Sequence, residues 1–165
     1  MAIKDLIGEL KYESSLTKKM LERVPPDKKD WKPHEKSMTV GRLATHVAEI
    51  THWVSDIIHI DDYDFTKNFN FNPRIANTTK ELLEICETNL NKAMADLTNI
   101  HEDDLAKKWV VRRGEQVMFE TPKKVAIRSW AINHMIHHRG QLSVYLRLLD
   151  VPVPGMYGPS ADERT

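Results

Sequence analysis

Four stretches of this chain repeat their apolar residues every three to four positions, and that periodicity restricts the fold more than any other feature. A stripe with that spacing lies along one face of an α-helix and has to be covered by another element. The first stretch runs over 2–23 on Ile3, Leu6, Leu10, Leu16, Met20 and Leu21, and Pro25-Pro26 stops it. The second runs over 39–60 from Ser37 or Thr39 as N-cap, on Leu43, Val47, Ile50, Val54 and Ile57. The third opens with the capping box Thr78-Thr79-Lys80-Glu81 and reaches 98. The fourth starts with Thr121 as N-cap and Pro122 at the first helical position, and runs to 149, where Val151-Pro152 ends it. Four such helices in 165 residues imply an all-α four-helix bundle, one domain over 1–165.

The connections carry their own signals. Residues 61–76 lose the helical period and set aromatics among Asp and Asn, as a packed and often functional loop does. Lys108 to Phe119 places β-branched residues on both sides of Arg113-Gly114-Glu115, the pattern of a short hairpin or an irregular excursion. The Pro- and Gly-rich tail is not helical, and Met156 and Tyr157 are expected to fold back over the end of the bundle.

Composition narrows the function classes. Lys and Arg number 24 and so do Asp and Glu, a balance that argues against a general nucleic-acid binder. No apolar run reaches the roughly 18 residues of a membrane span, and the first residues lack a signal-peptide core. The single cysteine, Cys86, excludes an internal disulfide, agrees with a reducing cytoplasm, and lies on the packing side of the third helix as a small core residue.

The chemistry concentrates in His134-Met135-Ile136-His137-His138-Arg139-Gly140-Gln141. On a helix, His134 and His138 project from one face a turn apart, and two imidazoles so placed can share one ion. A third ligand is needed. His46 falls on the edge of the second helix's apolar stripe and also points inward. His52 and His59 lie about 240° and 220° around from it, on the polar side with Asp56, where an enclosed site is not expected. His34 and His101 sit in connections, and His137 faces a helix flank or a protomer boundary. Burying three imidazoles costs free energy unless each has a partner. The pattern leaves two readings open: hydrogen-bonded core histidines, or a metal site. Trp53, Trp130 and Tyr145 share the ligand stripes, as core filling or as walls of a cavity. Glu49 is a candidate acceptor for an imidazole N–H, although a solvated carboxylate is the simpler reading. Arg139 points away and reads as an ion-pair partner. Gly140 costs about 1 kcal/mol in a helix interior, which calls for a close approach by a neighbouring helix or by a bound ligand.

With Leu43-Ala44-Thr45-His46, the run from His134 to Leu142, and Val153-Pro154-Gly155-Met156-Tyr157-Gly158, the chain resembles the DinB/YfiT-like superfamily of bacterial metal-binding bundles. The resemblance covers essentially the whole chain. It implies an up-down-down-up bundle with one divalent metal, zinc or nickel foremost and iron or manganese next, on His46, His134 and His138. It also implies a homodimer. Members with known activity use low-molecular-weight thiols, which points to a metal-dependent thiol S-transferase acting on small electrophiles, or to a hydrolase. The competing expectations are a non-catalytic stress-induced metal sensor or buffer, and a haem bundle, since facing histidines also ligate haem. A small-molecule substrate is expected, with no nucleic-acid or membrane partner and a cytoplasmic location.

Overall fold

A computed structural model describes residues 2–69 and 73–163; residues 70–72 of the aromatic connection, and the outermost terminal residues, lie outside them. The four helical stretches are present, with α1 at Ile3–Leu21, α2 at Val40–Glu49, α3 at His52–His59 and α5 at Thr79–Asn99. Thr39 caps α2 by accepting from the Arg42 N–H at 3.2 Å, and Thr78 caps α5 by accepting from the Glu81 N–H at 3.1 Å.

The second stretch is not one uniform helix. Trp53 and Val54 donate their N–H groups to Ile50 and Thr51, a tighter turn than an α-helix makes. The carbonyl of Glu49 is met instead by the His52 ring, with Nδ1 at 2.7 Å. The tightening changes the angular phase between α2 and α3.

The all-α expectation needs correction, because a small three-stranded sheet stands beside the helices. Strand β1, Asp62–Asp64, runs parallel to β2, Lys108–Arg113, and β2 pairs antiparallel with β3, Gln116–Pro122. A helical turn α4, Phe65–Asn68, follows β1, and the short helix α6, Glu102–Ala106, precedes β2. The expected loop over 61–76 is thus partly ordered backbone, and the expected hairpin is real, turning at Gly114 with φ +60. Pairing of Trp109 with Thr121 and Lys108 with Pro122 holds both partners extended, so helix α7, Lys123–Ala126, starts one residue later than Pro122 implies. A π-helical segment, Ile127–Asn133, then leads into α8, His134–Leu148. Left-handed Asp150 (φ 57) closes α8, with Val151 N–H donating to the Leu146 carbonyl and Asp150 N–H to that of Arg147.

Asp64 ties the sheet to its turn. Its carboxylate accepts from the Gly114 N–H at 3.0 Å and from the Thr66 hydroxyl and N–H at 2.7 and 2.9 Å. These bonds pull its pKa down to about 2. A carboxyl depressed on folding contributes stability above its unfolded pKa of about 3.9, and the contribution disappears as pH falls through the folded value. Wild-type protein is therefore expected to melt above Asp64→Asn at pH 7, with the gap closing between pH 4 and pH 2. A gap independent of pH would show that the charge of Asp64 plays no part.

Helices α1, α2 and α8 pack around one another, with α5 against α1, α2 and α3. Their apolar side chains form two clusters, one containing Leu10, Ile50, Trp53, Ile57, Trp109 and Ile127, the other Met20, Leu43, Val47, Leu82, Cys86 and Leu142. Polar side chains lie at the seam. On α1, buried Glu13, Ser14 and Thr17 stand between Leu10 and Met20. On α2 and α8, His46 and His134 fall at the same level. Gly140 meets no close backbone, and a Cβ built there has no heavy atom within 4 Å, so no neighbouring helix makes the expected close approach. Gly140→Ala is accordingly expected to raise stability by about 1 kcal/mol, read as a higher melting temperature.

Candidate metal centre

Two helical segments carry the three histidines. The i, i+4 spacing of His134 and His138 brings their ring centroids to 4.7 Å, and His46 of α2 stands 5.0 Å from the first and 4.7 Å from the second. One ring nitrogen from each lies within 4.8 Å of the other two, and the Nε2 atoms of His46 and His134 are 3.3 Å apart. Two nitrogens on one tetrahedral zinc, each at about 2.0–2.1 Å, are separated by about 3.3–3.4 Å.

The far nitrogens orient two of the rings. His134 Nδ1 donates to the Trp130 carbonyl in the π segment at 3.2 Å, and His138 Nδ1 to the Gln141 side-chain oxygen at 2.7 Å. Both bonds assign the proton to Nδ1 and leave Nε2 with its lone pair, the tautomer a ligand requires. All three rings are half-buried. Burial, followed by the neighbouring imidazoles, pushes His46 down to about 3 and His134 down to about 4, and burial also lowers His138. Three ring nitrogens brought together without a carboxylate among them, two of them with assigned lone pairs, form a donor set that fits a cation.

The site opens into a cleft of about 840 Å³ bordered by α2, α3, α5, the β1–α4 segment and the π segment. Trp53, Tyr63, Phe65, Phe69 and Trp130 line one side of it, with Arg42, Glu49, His52 and Asp56 among the polar residues. Trp53 and Trp130 thus wall the cleft, whereas Tyr145 does not: its ring meets Trp31 edge-on at 5.8 Å in the other cluster. Glu49 is not the acceptor of a ligand's N–H; it pairs with Arg42 at 3.4 Å. His52 reaches the cleft despite its polar-side assignment, and its Nε2 stands 3.8 Å from the Asp56 carboxylate. Burial raises the Asp56 pKa, and burial with Asp56 nearby pushes Tyr63 up to about 12. His59 pairs with Asp96 at 3.0 Å in a separate hollow, and His137 is exposed beside His138. Cys86 is buried and its thiol is pushed up to about 11, which keeps it protonated.

Residues 3–165 match the model of the DinB family. The chain belongs to the DinB family. This DinB protein is 26% identical over 147 residues to YjoA of Bacillus subtilis, an uncharacterized protein, covering 86% of this chain and 87% of YjoA. A second uncharacterized Bacillus subtilis protein, YrdA, is 50% identical over 32 residues, 19% of either chain. The crystal structure of a DinB-like protein from Bacillus cereus superposes with a TM-score of 0.72 at 21% identity, covering 93% of this chain and 97% of its own. That of YjoA superposes with a TM-score of 0.67 at 20% identity, covering 98% and 99%. At these identities the superpositions show a shared fold. Among the described residues of this DinB chain, no helix is long and apolar enough to cross a membrane.

Proposed function

We propose that this DinB protein is a divalent-metal enzyme that joins a low-molecular-weight thiol to a small electrophile, with His46, His134 and His138 holding the ion. The observation that carries the reading is three neutral imidazoles converging beside an open, aromatic-walled cleft. Three protein nitrogens leave positions for exchange, which separates a catalytic site from a closed structural one. An all-imidazole set suits zinc or nickel, with iron next, and manganese enters through the family resemblance alone. When bound, such an ion supplies Lewis acidity and favours the deprotonated form of a thiol or water.

The overall change is R–SH plus R′–X to R–S–R′ plus HX: an S–C bond forms, the C–X bond breaks, and the thiol proton leaves with X. His52 is the group of this chain placed to hold that proton. Its Nδ1–H is given to the Glu49 carbonyl, so Nε2 carries the lone pair, with the Asp56 carboxylate 3.8 Å away. Water in place of the thiol makes the same site a hydrolase. The thiol itself comes from the family resemblance. The reading includes one domain over 1–165, an up-down-down-up bundle, a homodimer and a cytoplasmic location, with no nucleic-acid or membrane partner.

The test is thiol consumption with iodoacetamide, using metal-loaded protein and bacillithiol, mycothiol or glutathione. Turnover above the uncatalysed rate is expected, with loss in His134→Ala and a slower reaction in His52→Gln. Stoichiometric metal without turnover of any thiol would instead indicate a sensor or buffer.

A further inference from the structure

The cleft's charged lining selects weakly for substrate charge, since Arg42 and Arg74 are set against Glu49, Asp56 and Glu84. Its aromatic side is more selective. Trp53 and Tyr63 are 3% and 2% exposed and hold the wall from behind, whereas Phe65 and Trp130 are half-buried and Phe69 is 39% exposed. The rings meet one another at 5.0–6.2 Å: Trp53 with Tyr63, Phe65 edge-on with Phe69, and Phe65 tilted at 39° to Trp130. Rings locked this way by their neighbours present fixed π-surfaces and edges, and they lose little freedom when a flat ligand arrives. Trp130 also supplies the carbonyl that orients His134, so the wall ends at the histidines. An aliphatic pocket would serve any apolar group of suitable volume; a wall of fixed rings favours a planar one.

We infer that the electrophile taken by this site carries an aryl group, seated against Phe65, Phe69 and Trp130 with its reactive atom toward His46 and His134. This names a substrate class for the reaction proposed above and rests on that reading. An aryl group on such a surface gains about two- to twelvefold per ring pair over its area burial alone.

The test is calorimetric binding of 2-naphthol and of decahydro-2-naphthol to the full, metal-loaded chain, without thiol. The saturated compound has the same carbon skeleton and greater bulk, so it wins if the cleft selects only for apolar volume. Naphthol is expected to bind about tenfold more tightly, a preference that falls to within about twofold in Phe65→Leu/Phe69→Leu at unchanged metal content. Equal binding of the two compounds by wild type overturns the inference whether or not the variant folds, and so does a preference that survives in a folded variant. Loss of the aryl preference with thiol turnover intact removes this inference and spares the reaction; an intact preference without turnover does the reverse.

Discussion

Protein purified without a His-tag is expected to carry one equivalent of divalent metal per chain, and His46→Ala, His134→Ala and His138→Ala are each expected to lose it. The reasoning starts from the count of donors. Two imidazoles four apart on one helix make a weak site, and a ring on a second helix converts it into one that resists dialysis. Losing an outer partner that orients a ligand costs about 10–100-fold in affinity, so removing a ligand outright should exceed about 100-fold. Gln141→Leu separates the two cases, because it deletes the acceptor of the His138 Nδ1–H while leaving all three rings in place. It should retain metal at saturating concentration and bind it about 10–100-fold more weakly. Elemental analysis reads the first effect and equilibrium dialysis the second. Metal should also raise the melting temperature of wild type, by mass action on the folded state, and leave that of His138→Ala where it was. Equal metal content in wild type and all three alanine variants would remove the site from consideration.

How much of this was legible beforehand depends on how local the determinants are. Apolar periodicity and caps are local, so α1, α5 and the C-terminal end of α8 lie within two residues of their expected ends. The His134–His138 pair is equally local, since any helix through both residues makes them neighbours. The sheet is not. Asp62-Tyr63-Asp64 is too short for a strand pattern, and its partner Val110 lies on the far side of α5, so only tertiary pairing makes it a strand. The two misplaced residues have different causes. The tight turn at Ile50–Thr51 contains neither Gly nor Pro, so a uniform 100° step carries through it unnoticed. That step assigned His52 to the solvent side, whereas it lines the cleft; Tyr145 shares a face of α8 with His138 but stands two turns beyond it, where it meets Trp31. His46 escaped the error because it precedes the first irregularity. Gln141 lies three residues after His138, a local spacing that by itself puts its oxygen within reach of the ring.

Arg139→Met is expected to destabilise the fold by about 3–5 kcal/mol, the usual cost of removing one partner from a buried ion pair. For a domain of this size that corresponds to a melting temperature lower by about 6–20 °C. Arg139 is 2% exposed, and its guanidinium donates to the Glu13 carboxylate at 2.6 Å and carbonyl at 2.8 Å, to the Thr17 hydroxyl at 3.1 Å and to the Tyr157 hydroxyl at 2.6 Å. Tyr157 in turn donates to Glu13 at 2.8 Å, so the tail folds back, but its hydroxyl attaches beside the middle of α1 rather than over the end of the bundle. Removing the arginine leaves the Glu13 carboxylate in the core with one neutral donor. Arg139→Lys should not rescue, because a single ammonium lacks the planar fork that reaches α1 and the tail together. Adding Glu13→Met to Arg139→Met should recover most of the loss, since the penalty arises from the stranded charge rather than from the missing bond. The position of the network gives it a second effect. Arg139 and His138 are adjacent on α8 and point about 100° apart, one to α1 and the other to α2, so anchoring the arginine to α1 also sets the rotation at which His138 faces His46. Folded Arg139→Met protein should therefore bind metal more weakly than wild type, and the Glu13→Met double variant should regain stability without regaining full affinity. Recovery of both together would mean that the histidines are oriented by their own hydrogen bonds alone.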